Sequence, residues 1–261
     1  MQLKTQNKTK NIHIAEVLSN KKLSDDTWKL TFKNKIIAEN SKPGQFVSIL
    51  CEDLLLRRPF SVANAKDDTF EIIYKIKGKG TKYLSNLKNG DFTDIIGPLG
   101  NGFDVENKKA LLIGCGVGIA PIVFLSKRLE KLGIKHAFVA CSQTFIDIGG
   151  HCEGQSDNAS VFITEDGSAG LKGRLDKHLE NIINEIKPEK IYTCGPNPAM
   201  EYISLTAEKY KIPVEVALER EFACGTGVCM GCVIQIKENG KPVNKRICKD
   251  GPVFKGSEVL W

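Results

Sequence analysis

Three cysteines, Cys224, Cys229 and Cys232, fall within nine residues in the order Cys-x4-Cys-x2-Cys, and Cys248 follows after fifteen more. No other feature restricts the fold as strongly, because thiolates at this spacing converge only where the backbone between them reverses tightly. The spacing is that of a plant-type 2Fe–2S site, in which four cysteine sulfurs hold two irons. Gly225, Gly227 and Gly231 are placed to supply positive φ values and a close approach of backbone N–H groups to sulfur. Such N–H contacts tune the potential of a cluster. The competing reading is structural zinc, which pairs one Cys-x2-Cys with another or with histidines. Here Cys248 stands alone, and His13, His136, His151 and His178 are remote in sequence. The spacing favours iron–sulfur.

The cysteines total nine, an odd number, and four lie in the last forty residues. That argues against a disulfide framework and for reduced thiols in a cytoplasmic compartment. Cys51 and Cys141 end apolar strands and read as core thiols, while Cys152 lies in a polar loop with no nearby base or ligand. A formal net charge of +6 is spread over scattered lysines. The one dense run, Lys4 to Lys10, reads as a solvated tail, so neither nucleic acid nor a membrane surface is expected as a partner. The polar start lacks a secretory signal. The most apolar stretch, Ala110 to Leu125, is too short to span a membrane and is interrupted by Gly114, Gly116, Gly118 and Pro121.

A length of 261 residues accommodates two compact domains and a small module. Strand patterns at Thr27–Phe32, Gln45–Cys51, Thr69–Ile76 and Asp91–Ile96, the last after an Asn89-Gly90 turn, predict a small antiparallel β-barrel over residues 1–103. The Gly97–Gly102 stretch is a natural boundary. Over 104–218 strands alternate with helices: strands at Ala110–Ile113, His136–Cys141, Val161–Thr164, Lys190–Thr193 and Val214–Leu218, helices at Pro121–Leu132, Leu175–Ile186 and Pro198–Tyr210. This predicts a doubly wound parallel sheet, an α/β nucleotide domain. Residues 219–261 form a Cys/Gly-rich module whose strand-like residues are few, Val233 to Lys237. The fold class is α/β plus β.

Two segments offer themselves to organic cofactors. Arg57-Arg58-Pro59-Phe60-Ser61 is expected at the end of a barrel strand. An arginine there can grip a pyrophosphate, an aromatic can lie against a planar ring, and a hydroxyl can reach a ring nitrogen; a surface arginine pair before a turn is the plainer alternative. Ile73-Tyr74-Lys75 and Gly78-Lys79-Gly80-Thr81 are placed to offer backbone N–H groups and a helix start to phosphate. In the second half, Gly114, Gly116 and Gly118 form a strand–turn–helix start where the backbone can approach a pyrophosphate. Ile119 stands where a Rossmann fingerprint has its third glycine, and Ser142-Gln143-Thr144 stand where an acid would follow the second strand. A turn needed only for packing is the alternative. Cys194-Gly195-Pro196 and Thr164-Glu165-Asp166-Gly167-Ser168 also lie at strand ends, as cofactor contacts or as simple turns. No Arg or Lys directly follows His136–Cys141, which favours NAD over NADP.

The order Arg-Pro-aromatic-Ser, Gly-Thr, Gly-rich turn and Cys-Gly-Pro resembles the ferredoxin reductase superfamily. The tail, Glu219-Arg220-x2-Ala223-Cys224-Gly225-x-Gly227-x-Cys229-x2-Cys232 with Cys248-Lys249-Asp250-Gly251-Pro252-Val253-Phe254, is similar to the electron-transfer subunits of NAD-dependent, type 1B dihydroorotate dehydrogenases. By that resemblance Arg58, Pro59, Phe60, Ser61, Ile73, Tyr74, Lys75, Gly80 and Thr81 line FAD. Lys75 departs from the family's more frequent Arg and loses its bidentate geometry. Cys194, Gly195 and Pro196 come near the nicotinamide, and Cys224, Cys229, Cys232 and Cys248 hold the cluster. The resemblance implies a partner subunit that carries FMN and oxidises dihydroorotate to orotate in pyrimidine biosynthesis. Electrons would run from FMN through 2Fe–2S and FAD to NAD, in an assembly of two subunits of each kind. No general base for substrate oxidation is expected in this chain. Rival expectations are an electron-input subunit of a sulfide dehydrogenase, hydrogenase or bifurcating transhydrogenase, and a redox-sensing or zinc-stabilised binding module.

Overall fold

The computed structural model describes residues 12–52, 54–146 and 160–261. The Lys4–Lys10 run, His151 and Cys152 lie outside these described residues.

Six antiparallel strands close into a barrel: β1 (Ile12–Lys22), β2 (Thr27–Lys33), β3 (Phe46–Ile49), β4 (Arg58–Lys66), β5 (Thr69–Lys75) and β6 (Phe92–Leu99), in the order β1-β2-β5-β4-β3-β6. Leu30, Phe32, Phe70 and Ile72 fill the interior. Phe32 and Phe70 face each other in register with stacked rings 5.1 Å apart. Closure removes exposed sheet edges. Two strands escape the sequence pattern. On β1, Ile12 and Ile14 point outward and Ala15 and Val17 inward, so apolar residues occupy both faces. The Arg57–Ser61 segment was expected to end a strand; instead Arg58 opens β4. The reason is Pro59, which has no N–H to give a ladder and is tolerated at a strand's first residues. A short helix, α1 (Lys35–Asn40), capped by the Asn34 side chain, covers part of the barrel, and α2 (Lys79–Leu84) follows β5.

The second half is a sheet of β10 (Leu171–Lys172), β9 (Ser160–Thr164), β8 (His136–Ser142), β7 (Ala110–Cys115), β11 (Lys190–Cys194) and β12 (Val214–Ala217), in that order and all parallel. Leu112 packs with α3 (Ile119–Lys131) on one face. Leu111 and Ile113 pack with α4 (Leu179–Ile186) and α5 (Asn197–Lys209) on the other. Burial on both faces explains why β7 reads as an unbroken apolar run. The helix expected over Leu175–Ile186 is interrupted, because Leu175–Lys177 is a tight single turn and His178 leaves helical geometry. At the amino-terminal end of the sheet, Lys190, only 5% exposed, bonds Glu106 (2.6 Å), Glu215 (2.9 Å) and the Asp104 carbonyl (2.8 Å).

The last segment contains the cysteine loop, a hairpin of β13 (Val233–Glu238) and β14 (Lys241–Arg246), a helical turn α6 (Ile247–Asp250), and β15 (Val253–Lys255). The polar, largely exposed β14 carries no apolar alternation by which to be read. β15 adds to β12 as an antiparallel seventh strand, so the otherwise parallel sheet extends into this segment. The same stretch grips the barrel. Asn101 donates its N–H to the Gly251 carbonyl (2.7 Å) and accepts from the Val253 N–H (2.9 Å), while Leu218 donates to the Pro252 carbonyl (2.9 Å).

Candidate functional site

Between barrel, sheet and cysteine segment lies a cavity of about 230 Å3. Seven of the nine residues expected around a flavin border it: Pro59, Phe60 and Ser61 from β4, Ile73, Tyr74 and Lys75 from β5, and Thr81 from α2. Phe60 and Tyr74 meet edge to face at 5.8 Å. Burial pushes the Tyr74 phenol well above its usual range, against the pull of its bond to Asn20. The phenol is therefore neutral. Arg58 and Gly80 stand just outside, with the Arg58 side chain lying across Gly80 so closely that a Cβ there would sit 2.9 Å from Cγ. The two arginines separate in role. Arg57 pairs with Asp94 at 2.9 Å and donates to the Asp94 carbonyl, tying the barrel wall together, whereas Arg58 has no carboxylate partner among the described residues. Thr81 Oγ1 accepts the N–H groups of Lys77 and Gly78 (2.8 and 3.1 Å), so those two donors serve the turn itself.

The far wall comes from segments that the sequence did not single out for a flavin: Phe46, Val117, Ala120, Leu218, Glu219, Arg220 and Phe222. Apolar and aromatic walls with a rim of Ser61, Thr81, Lys75 and Arg220 suit a flat ring system with a polar edge. The residues present therefore fit an isoalloxazine.

A larger cleft of about 930 Å3 opens at the carboxyl ends of β7, β8, β9 and β11, where the strand order reverses between β7 and β11. Gly116, Gly118, Gly195 and Pro196 line it. The glycines work differently from one another. A Cβ on Gly118 would sit 2.5 Å from the Cys194 carbonyl oxygen, and one on Gly195 would sit 2.7 Å from Cys115 Cβ. A Cβ on Gly114, which does not line the cleft, would meet the Ile119 backbone at 2.8 Å. These three let two loops and a helix start interlock, while Gly116, at φ +59° with nothing nearby, faces open space. The Cys194 side chain is 1% exposed, in the core packed against α3, and does not line the cleft. Sequence reasoning also missed Arg174, Asp176 and Tyr202, which reach the cleft from beyond β10 and from α5.

Cavity and cleft share Lys75, Lys77, Val117 and Glu219, so they are two arms of one hollow. Glu219 is open to that hollow but has protein on most sides. Desolvation raises its pKa above the usual carboxylate range, with Lys77 pulling the other way.

Just beyond the flavin cavity, the cysteine loop turns its N–H groups toward sulfur. Cys224 Sγ accepts from Thr226, Val228 and Cys229 at 3.3–3.4 Å, and Cys229 Sγ from Cys224 and Gly231 at 3.4–3.5 Å. Burial works against ionisation, yet these bonds bring the Cys224 thiol down to about 5. Gly225 (φ +66°) and Gly227 (φ +85°) take the left-handed conformation; the third positive φ belongs to Met230 (+60°), not to Gly231. Gly231 has ordinary φ, and a Cβ there would make only van der Waals contact, 3.4 Å from Cys229 Sγ. The thiols group as two pairs: Cys224 with Cys229, and Cys232 with Cys248, whose N–H reaches Cys232 Sγ at 3.4 Å. Burial and the bond to Cys232 push the Cys248 thiol up to about 12. Among the described residues no three His, Cys, Asp or Glu side chains converge on a single-ion site. Four thiols in two neighbouring pairs would supply the sulfur ligands of a two-iron cluster.

Residues 219–260 match the family model of the iron–sulfur cluster binding domain of dihydroorotate dehydrogenase B, and residues 14–103 match that of the oxidoreductase FAD-binding domain. Over 249 residues, 95% of this chain and 98% of the relative, the sequence is 37% identical to the dihydroorotate dehydrogenase B (NAD(+)) electron transfer subunit of Caldanaerobacter subterraneus. The chain belongs to the family of dihydroorotate dehydrogenase B electron transfer subunits. The family's counterpart in Geobacillus kaustophilus is 35% identical, covering 94% of this chain and 96% of that one. Among solved structures, an NADH-dependent reduced ferredoxin-NADP oxidoreductase studied for flavin-based electron bifurcation superposes with TM-score 0.83 at 29% identity, covering 95% of this chain and 90% of that one. The ferredoxin reductase of carbazole 1,9a-dioxygenase shares the fold, with TM-score 0.66 at 23% identity over 78% of this chain and 68% of that one. The expected fold class, an FAD-binding barrel, a nucleotide sheet and an iron–sulfur module, is the one observed.

Proposed function

We infer that this chain is the electron-transfer subunit of an NAD-dependent dihydroorotate dehydrogenase, carrying electrons from FMN on a catalytic partner through 2Fe–2S and FAD to NAD in pyrimidine biosynthesis. The observation that carries the reading is the continuity of segment 219–224: Glu219, Arg220 and Phe222 border the flavin cavity, and Cys224 opens the cluster loop two residues later. Flavin accepts two electrons as a hydride and releases them singly, which suits it to stand between a nicotinamide and a one-electron cluster. The chain's residues bind and orient. Pro59, Phe60, Ser61, Ile73, Tyr74, Lys75 and Thr81 hold the ring and its edge, while Arg58 and Gly80 hold the phosphates. Gly116, Gly118, Gly195 and Pro196 receive the nicotinamide nucleotide, with Gly114 keeping their turn tight. Cys224, Cys229, Cys232 and Cys248 hold the irons. The three domains are 1–103, 104–218 and 219–261.

Exposed Cys229, flanked by Val228 (81% exposed) and Met230 (50% exposed), faces the partner and passes electrons across a short apolar contact. The assembly contains two subunits of each kind and works in the cytoplasm; no helix among the described residues is long and apolar enough to cross a membrane. The test is reconstitution. The FAD- and cluster-loaded chain alone oxidises NADH with ferricyanide as acceptor and does not oxidise dihydroorotate until the FMN subunit is added. Dihydroorotate turnover by this chain alone refutes the reading.

A further inference from the structure

Two thiol pairs must be held against each other, one at Cys224 and Cys229 in the loop, the other completed by Cys248 from the turn after β14. One side chain spans them. Arg246 ends β14 opposite Val233, the neighbour of Cys232, and precedes the helical turn α6 that carries Cys248. Its guanidinium pairs side-on with Asp250, Nε to Oδ2 at 2.9 Å and Nη2 to Oδ1 at 3.0 Å, and the Arg246 backbone N–H donates to the same carboxylate at 2.8 Å. The remaining arm, Nη1, donates to the Gly227 carbonyl at 2.7 Å. Gly227 lies between Cys224 and Cys229 and packs against the turn, since a Cβ there would sit 2.7 Å from Lys249 Cβ. Its N–H faces Cys248 Sγ and favours the thiolate. A single planar fork therefore joins the loop of the first pair to the turn of the second, a geometry that an ammonium does not reproduce.

The charge of that fork has its own consequence. Four thiolates make the site negative, and an arriving electron makes it more so. A cation nearby favours that state and raises the potential, while a carboxylate nearby lowers it. Cys248 and Cys232 lie within the field of the guanidinium, whose pKa is raised chiefly by the bond to Asp250 and further by the charges of Asp250 and of those two sulfurs. Asp250 thus holds Arg246 in place and offsets part of its charge.

We propose that Arg246 is a positioning residue of the cluster site, clasping the two thiol pairs together and, against Asp250, setting the potential at which the site takes up an electron. The proposal rests on the assignment of Cys224, Cys229, Cys232 and Cys248 as ligands of 2Fe–2S. It is tested by redox titration of the full chain loaded with FAD and cluster, followed by the electron paramagnetic resonance signal of the reduced cluster, with iron and acid-labile sulfide counted in the same samples. Arg246→Gln is expected to lower the midpoint potential and Asp250→Asn to raise it, each by about 30–60 mV, a threefold to tenfold change in a one-electron equilibrium. Arg246→Lys keeps the charge and loses the fork, so its potential should stay nearer wild type while a chelator removes iron about tenfold faster. A merely structural ion pair would make Arg246→Gln and Asp250→Asn behave alike, because both break the same contact. Unmoved potentials, or shifts of the same sign in those two variants, overturn the proposal. Where Arg246→Gln takes up no iron, Asp250→Asn decides, and a potential that is unmoved or lowered overturns it. Wild-type protein without acid-labile sulfide overturns the ligand assignment itself, and the role of Arg246 falls with it.

Discussion

The cysteine loop and the nucleotide cleft both depend on glycine, for different physical reasons. In the loop, Gly225 and Gly227 adopt φ values that L-residues avoid, and this turns successive N–H groups onto sulfur. At the cleft, Gly118 and Gly195, with Gly114 behind them, have no such φ values and are needed for the atom they lack, because a Cβ at each would fall 2.5–2.8 Å from neighbouring atoms. The first arrangement makes conformation do the work; the second makes absence of volume do it. Substitutions should therefore fail differently in the two regions.

The largest contrast is expected at the sulfurs. Cys248→Ser removes a cluster ligand. Electron delivery from the FMN subunit to NAD should fall by about a hundredfold or more, with loss of iron and of visible absorbance, while NADH–ferricyanide activity through the flavin survives. Parallel loss of both activities breaks the separation of the two regions. Next comes Gly118→Ala, whose new methyl meets backbone that cannot step aside. Thermal unfolding should show a cost of about 2–3 kcal/mol, against about 1 kcal/mol for Gly116→Ala, which adds strain at φ +59° but meets no atom. The reverse ranking undoes the volume argument.

Gly80→Ala sharpens it. Here the obstructing atoms belong to the flexible Arg58 side chain, so stability should change by less than about 1 kcal/mol while FAD retention weakens about tenfold as Arg58 is displaced. Unchanged flavin affinity, read by fluorescence on dilution, removes Arg58 from the phosphate site. The smallest effect lies at the opposite end of the sheet. Bonds to Lys108 and Lys190 hold the Glu106 carboxyl down to about 2, from an ordinary 4.5. Because the folded-state value is depressed, its stabilisation is present above pH 4.5 and drains away as pH falls toward 2. Glu106→Gln should flatten that acid limb of stability and leave the nucleotide preference untouched.

Legibility in the sequence followed the same division. The cluster ligands are nearly contiguous, so their spacing alone carried the chemistry, although which position took the third positive φ (Met230) did not follow from residue type. The barrel was readable where strands alternate, as at Thr27–Lys33, and unreadable at β1, where both faces carry apolar side chains. In the cleft the glycine turn was visible. Arg174, Asp176, Tyr202 and Glu165 were not grouped, because three separate segments bring them together and no local pattern links such segments. Cys194 shows a related limit: its place at a strand end was legible, but the burial of its thiol beside α3 was not.

The pairing of Val253–Lys255 with β12, together with the bond that Asn101 accepts from the Val253 N–H, ties the cysteine segment to both the sheet and the barrel half. One short strand thus touches all three parts of the chain, so damage at Val253 would be felt on both sides of the inferred relay at once.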